Sequence, residues 1–160
     1  DRKFANADIY VTLNKDTYCH GLMAGMEFQE KKKKKAFEMT GSYFAPAQRV
    51  VDFLENKISE TLPKSSFLPG IKSVNLNLLF PDSINSSIRE AMYKFDEKFQ
   101  GFIQEDAIFI APETRTSSPL KISRDPLTYV SINTPGLIPL GEGAGAAGGR
   151  LRASPRRGLR

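Results

Sequence analysis

The sequence predicts an α+β fold, and three observations predict it. Residues 84–100 place apolar side chains at helical spacing, while residues 7–13 and 74–78 alternate apolar and polar positions as half-buried strands do. Near the end, an apolar run at 137–140 breaks off into a glycine-rich segment, the form of a strand delivering a loop.

Taken in order, Ile9, Val11 and Leu13 define one face of a first strand, and Asn14-Lys-Asp-Thr17 reads as a turn. Residues 23–39 predict a helix with Met23, Met26, Ala36, Phe37 and Met39 as its apolar positions. Its centre is Lys31, Lys32, Lys33, Lys34 and Lys35, a self-repelling run that reads as a solvated face or as a contact for an anionic partner. Gly41 stands where a helix terminates in a left-handed residue. Ala45-Pro-Ala-Gln48 opens a second helix, with Val50, Val51, Leu54 and Ile58 as its core face.

Pro63, Pro69 and Gly70 mark a loop before the strand carrying Val74, Leu76 and Leu78. Asp82 and Ser83 supply capping chemistry for the helix at 84–100, whose stripe is Ile84, Ile88, Ala91/Met92, Phe95 and Phe99, with Gly101 as its stop. That stripe is packing surface. Residues 107–111 are an apolar strand, 113–122 continue extended with Pro119 at an edge or bulge, and 128–132 are again β-rich. No internal repeat is present.

Composition narrows the function. The formal charge is +5, yet five arginines fall in the last eleven residues, and without them basic and acidic residues number 18 each. A basic nucleic-acid surface is therefore not a property of the body of the chain. One cysteine, Cys19, excludes a disulfide framework and any paired-cysteine metal knuckle, and fits a reducing compartment. Cys19 and His20 are adjacent, so their side chains diverge, and no further ligands are spaced near them. No apolar run reaches 18 residues and no secretory signal is visible, which predicts a cytoplasmic, stromal or matrix protein without a membrane span. A first residue of Asp1 predicts a fragment or a processed chain.

Two motifs carry chemistry. Glu113-Thr-Arg-Thr-Ser-Ser-Pro119 sets a carboxylate, a guanidinium and four hydroxyls in six consecutive positions. On an extended chain Thr114, Thr116 and Ser118 share one face, while Glu113, Arg115 and Ser117 share the other. Arg115 held by Glu113 suits an anion, and the same spacing equally reads as a polar, exposed edge strand with one local salt bridge. Gly141, Glu142, Gly143, Ala144 and Gly145 form the second motif: missing side chains let backbone approach a ligand, and the carboxylate accepts hydrogen bonds from ligand hydroxyls.

These motifs, with Ser123-Arg-Asp125, Gly136-Leu137, Leu22-Met-Ala-Gly-Met-Glu-Phe-Gln29, Ala45-Pro-Ala-Gln-Arg-Val50 and Asp52-Phe-Leu54, resemble the C-terminal part of a poorly characterised family of FAD-dependent dehydrogenases. The resemblance covers roughly residues 5–149. It implies an insertion or cap region at 1–105 and, at 106–149, the closing strands and loop of an incomplete, Rossmann-like FAD domain. It further implies FAD as cofactor, a small-molecule substrate of unknown identity, and Gly141, Glu142, Gly143, Ala144, Gly145, Thr114, Arg115, Thr116 and Ser117 as cofactor contacts. Gln48 and Arg49 would lie close to the flavin domain.

The sequence departs from the family twice. No N-terminal Gly-x-Gly-x-x-Gly fingerprint in an opening βαβ unit is present, so the remaining FAD contacts are expected from a missing N-terminal half of the same protein, and the chain alone is expected to bind FAD weakly or not at all. In addition, residues 150–160 read as a basic, disordered or mispredicted tail instead of the family's small-residue helix. The reading from another class is a non-catalytic module contacting nucleic acid or an anionic membrane through Lys31, Lys32, Lys33, Lys34, Lys35 and that tail. Such binding would weaken steeply with salt.

Overall fold

The computed structural model describes residues 4–13, 21–114 and 118–146. The chain divides into two compact units: residues 1–14 with 30–112, and residues 15–29 with 113–160.

The first unit is built around β1 (Ala45–Arg49), the middle of a three-stranded sheet ordered β2-β1-β3. β2 (Ile71–Ser73) runs parallel to it with Ala45 opposite Ile71, and β3 (Ile108–Ile110) antiparallel with Ala47 opposite Ile110. The helix expected from Ala45 is thus a strand first, and α2 (Val50–Leu54) begins only after it. Pro46 misled the reading, since proline is rare in a central strand. It is tolerated because the donor it lacks falls at the end of the antiparallel pairing, just past Ile110. There its carbonyl still accepts from the Ala111 N–H at 3.0 Å. Ile58, expected on the helix face, lies beyond α2 and is exposed.

α1 (Ala24–Thr40) forms where predicted. Its inward line is Lys32, Ala36 and Thr40, four residues apart, so one lysine of the run is inside. Lys32 is only 8% exposed and donates to the Leu79 carbonyl at 2.9 Å, which corrects the expectation of a uniformly solvated face. Burial, then Lys35 and Lys31, hold its ammonium below the ordinary lysine pKa. Gly41, at φ +66°, closes the helix by returning its N–H to Phe37, and Lys72 donates to the Thr40 carbonyl.

The strand expected at 74–78 sits earlier, at β2. Asn75 then accepts from the Asn77 N–H and turns Leu76–Leu78 into a single 3-10 turn. Val74 and Leu76 still go inward while Leu78 is exposed. α3 (Asp82–Lys98) starts two residues before the expected position, with Pro81 at its cap and no side-chain capping bond. Asp82 acts instead as a first-turn carboxylate. Its stripe is buried at Ile84 and Met92, but Phe95 and Phe99 are exposed.

Ala36, Phe53, Val74, Leu76 and Leu79 form the core, with Phe109 set edge-on to Phe53 at 5.1 Å. Gln48, fully buried, bridges it: its Nε2 donates to the Lys57 carbonyl at 2.6 Å and its Oε1 accepts from the Leu76 N–H at 2.8 Å. Residues 7–13 keep the alternating exposure expected of a strand but form none among the described residues. Alternation sets which side chains point in; a ladder also needs a partner strand.

In the second unit the described residues 113–114 and 118–146 contain no strand. The pieces expected at 128–132 and 137–140, and the described residues 113–114 and 118–122 of the first, are corrected to loops, with one bridge among the described residues, Arg124 with Ser131. Pro119, Pro126, Pro135 and Pro139 each remove a ladder donor, and Tyr129 at φ +61° bends the β-rich piece out of extended geometry. Leu137, Ile138 and Leu140 are exposed. Asn14-Lys-Asp-Thr17, Cys19, His20, Arg115, Thr116, Ser117 and the basic tail lie outside the described residues.

Candidate functional site

Two nested turns shape the glycine loop. The Gly145 N–H donates to the Glu142 carbonyl at 2.9 Å, and the Ala146 N–H to that of Gly141 at 3.1 Å. The loop rests on the chain just after the Thr-Arg-Thr-Ser segment. The Ile122 N–H donates to the Ala144 carbonyl at 3.0 Å, and the Ser118 hydroxyl reaches the Gly143 carbonyl at 3.4 Å. Ala144 is buried in this contact.

The glycines are not equivalent. A Cβ on Gly145 would sit 2.3 Å from the Leu120 carbonyl oxygen, and its φ is +66°, so packing within the unit demands glycine there. A Cβ on Gly141 or Gly143 would meet nothing within 4 Å. Space above these two residues is open. The N–H groups of Gly141, Glu142, Gly143 and Ala144 make no hydrogen bond to any described residue. Four successive unspent donors next to bare backbone form an arrangement that can receive the oxygens of a phosphate or polyol chain.

Glu142 is exposed and enters no ion pair among the described residues, leaving its carboxylate available to ligand hydroxyls. Thr114 is half-buried, and its hydroxyl oxygen is buried without a hydrogen-bond partner among the described residues. Of the described members of the expected cofactor set, Gly141, Glu142, Gly143 and Ala144 thus present unspent amides and one exposed carboxylate. Gly145 contributes only by shaping the loop.

Sequence reasoning gave no role to Arg124 and Asp125, yet they fix the approach to the loop. Arg124 donates to the Pro139 carbonyl at 2.7 Å, two residues before Gly141, and stacks over the Tyr129 ring at 4.9 Å. Asp125 accepts from the Thr128 and Leu127 N–H groups and from the Thr128 hydroxyl. Those bonds, Thr128's first, hold its carboxyl below the ordinary carboxylate range. An Asp with a Thr three residues on is a turn signature the sequence did display.

Gln48 and Arg49, candidates for ligand contact, are occupied structurally. Arg49 donates to the carbonyls of Thr61 and Glu105, and Gln48 is spent within the core. Among the described residues no three His, Cys, Asp or Glu side chains cluster to hold a metal, and no helix is long and apolar enough to cross a membrane.

The family model described as FAD-dependent protein, C-terminal domain-like matches residues 1–116, and the chain belongs to that family. It is also similar to an uncharacterized protein of Clostridium beijerinckii, 37% identical over 154 residues. That match takes in 94% of this chain and 29% of the relative, so the chain spans less than a third of the relative's length. The family match ends at Thr116, before the glycine loop. The longer match, covering 94% of the chain, necessarily includes that loop.

Proposed function

We propose that this chain acts as the C-terminal part of a longer FAD-dependent oxidoreductase. The observation that carries the reading is the set of unspent amides at Gly141, Glu142, Gly143 and Ala144 beside open space, in a member of a FAD-dependent family. In this reading those amides receive oxygens of the ribityl and pyrophosphate chain, and the Glu142 carboxylate accepts from ribityl hydroxyls. The hydroxyls of Thr114, Thr116 and Ser117 are the further cofactor contacts that this reading assigns. Arg115 is assigned to an acidic substrate or to negative charge arising during reaction. Bound flavin supplies the hydride and electron transfer; the protein groups hold and orient.

In this reading residues 1–105 supply most of the insertion region on the substrate side and residues 106–149 the flavin side; β3, within the latter stretch, pairs with β1 of the first unit. The remaining adenosine and phosphate contacts come, in this reading, from a preceding part of the same protein, because this sequence carries no opening βαβ unit with an N-terminal dinucleotide fingerprint. The test uses the full-length protein. It should purify with flavin absorbance or take up added FAD, and Glu142→Ala should lower the bound fraction. A colourless protein that takes up no FAD overturns the reading, and unchanged retention in Glu142→Ala removes that residue from the site.

A further inference from the structure

In the first unit, where α1 turns into β1, a cavity of about 300 Å³ opens to solvent. Its walls include Phe37, Tyr43, Phe44, Pro46 and Pro112, with Lys33 at the margin. Phe37 and Tyr43 stand edge to face, their centroids 5.3 Å apart, forming an aromatic corner. Phe44 is held by its contact with Gly70, where an added Cβ would come within 3.2 Å of the ring. The corner is poorly covered: Tyr43 is 86% exposed and Phe37 47% exposed.

Charge at this cavity is one-sided. Lys33 is its sole charged lining residue, is exposed, and takes part in no ion pair among the described residues. Lys31 and Lys34, both exposed, lie on either side of it in the helix, and Glu30 and Glu38 pair with none of the three. The one lysine of the run that is buried, Lys32, points elsewhere, to Leu79.

We propose that this cavity binds a small planar aromatic acid. The ring packs into the Phe37–Tyr43 corner and the anionic group meets Lys33. A volume of about 300 Å³ stands at the lower end of small-molecule sites, roughly 300–1,000 Å³, and accepts one or two fused rings. Aromatic walls favour offset or edge-on ring contacts, and the unpaired ammonium selects anionic over neutral rings. The site is separate from the glycine loop and does not depend on flavin being bound.

The test is equilibrium dialysis of the full-length protein with 2-naphthoate, and with 2-naphthamide as its neutral counterpart. Saturable naphthoate binding is expected, weakened about fivefold in Lys33→Gln, the size of a partly exposed charge pair. Tyr43→Ala should weaken it by about as much through loss of a ring wall, and naphthamide should bind more weakly than the acid. Both positions are exposed, so helix content by circular dichroism should stay unchanged. Naphthoate binding that is absent, equal in either variant, or matched by naphthamide overturns the proposal. So does release of flavin by naphthoate, which would move the acid to the other site. Flavin content in the same samples reports on the flavoprotein reading independently.

Discussion

The two units hold their shape by different means. In the first, Phe53 and Leu79 are essentially sealed from water, three strands pair, and even the polar Gln48 is consumed within the core. In the described part of the second beyond residue 118, no strand forms, and order comes from backbone turns together with polar contacts to backbone made by Ser118, Arg124 and Asp125. A sheet and core that pair their own backbone donors leave no amides for a ligand, which must then use surface side chains. A loop closed by its own tight turns can leave a row of amides unspent, as Gly141 to Ala144 do among the described residues.

That contrast can be broken at its extremes. Phe53→Ala empties the middle of the first unit, removing the Phe109 and Arg89 contacts, and should destabilise it by about 3–5 kcal/mol. Urea denaturation followed by far-UV circular dichroism reads this directly; a loss under about 1 kcal/mol would mean that the core lies elsewhere. Gly145→Ala should come next, on the order of 3 kcal/mol confined to the second unit, because its Cβ must displace the Leu120 backbone. Limited proteolysis should then cleave around residues 118–146 while fragments of the first unit stay protected. Equal resistance to wild type would show that Leu120 does not press on the loop.

A smaller effect sharpens the account of the lysine run. Lys32 has a folded-state pKa below its unfolded value of 10.5, so the unfolded chain binds the proton more tightly. Stability must therefore rise with pH across the window between the lowered value and 10.5. Lys57 and Lys94 are shifted upward, and their contributions are lost only above 10.5. Lys32→Met should flatten the rise between neutral pH and 10.5; the same slope in both proteins would argue that Lys32 is not buried in solution.

How far the sequence could be read follows the same division. α1, α3 and β3 were legible because apolar periodicity and a terminating glycine reflect the burial that forms them. β1 was not: Ala-Pro-Ala-Gln-Arg is no β-forming sequence, and its strand geometry is imposed from both sides by β2 and β3. The buried Lys32 was hidden in a run of identical residues whose helical phase decides which one turns inward. In the second unit the motif residues could be named but their geometry could not. The expected strands at 128–132 and 137–140 required ladder donors that the prolines remove. The importance of Gly145 emerges only from its contact with Leu120, 25 residues earlier in the chain.

The central claim is that the bare backbone at Gly143 faces a bound flavin nucleotide. The most direct measurement is the flavin absorbance of full-length Gly143→Ala against full-length wild type, with the unfolding midpoint of each. No described residue opposes that methyl group, so the midpoint should be unchanged while most of the flavin is lost. Wild-type protein without flavin, or a variant that keeps its full complement, would contradict the account.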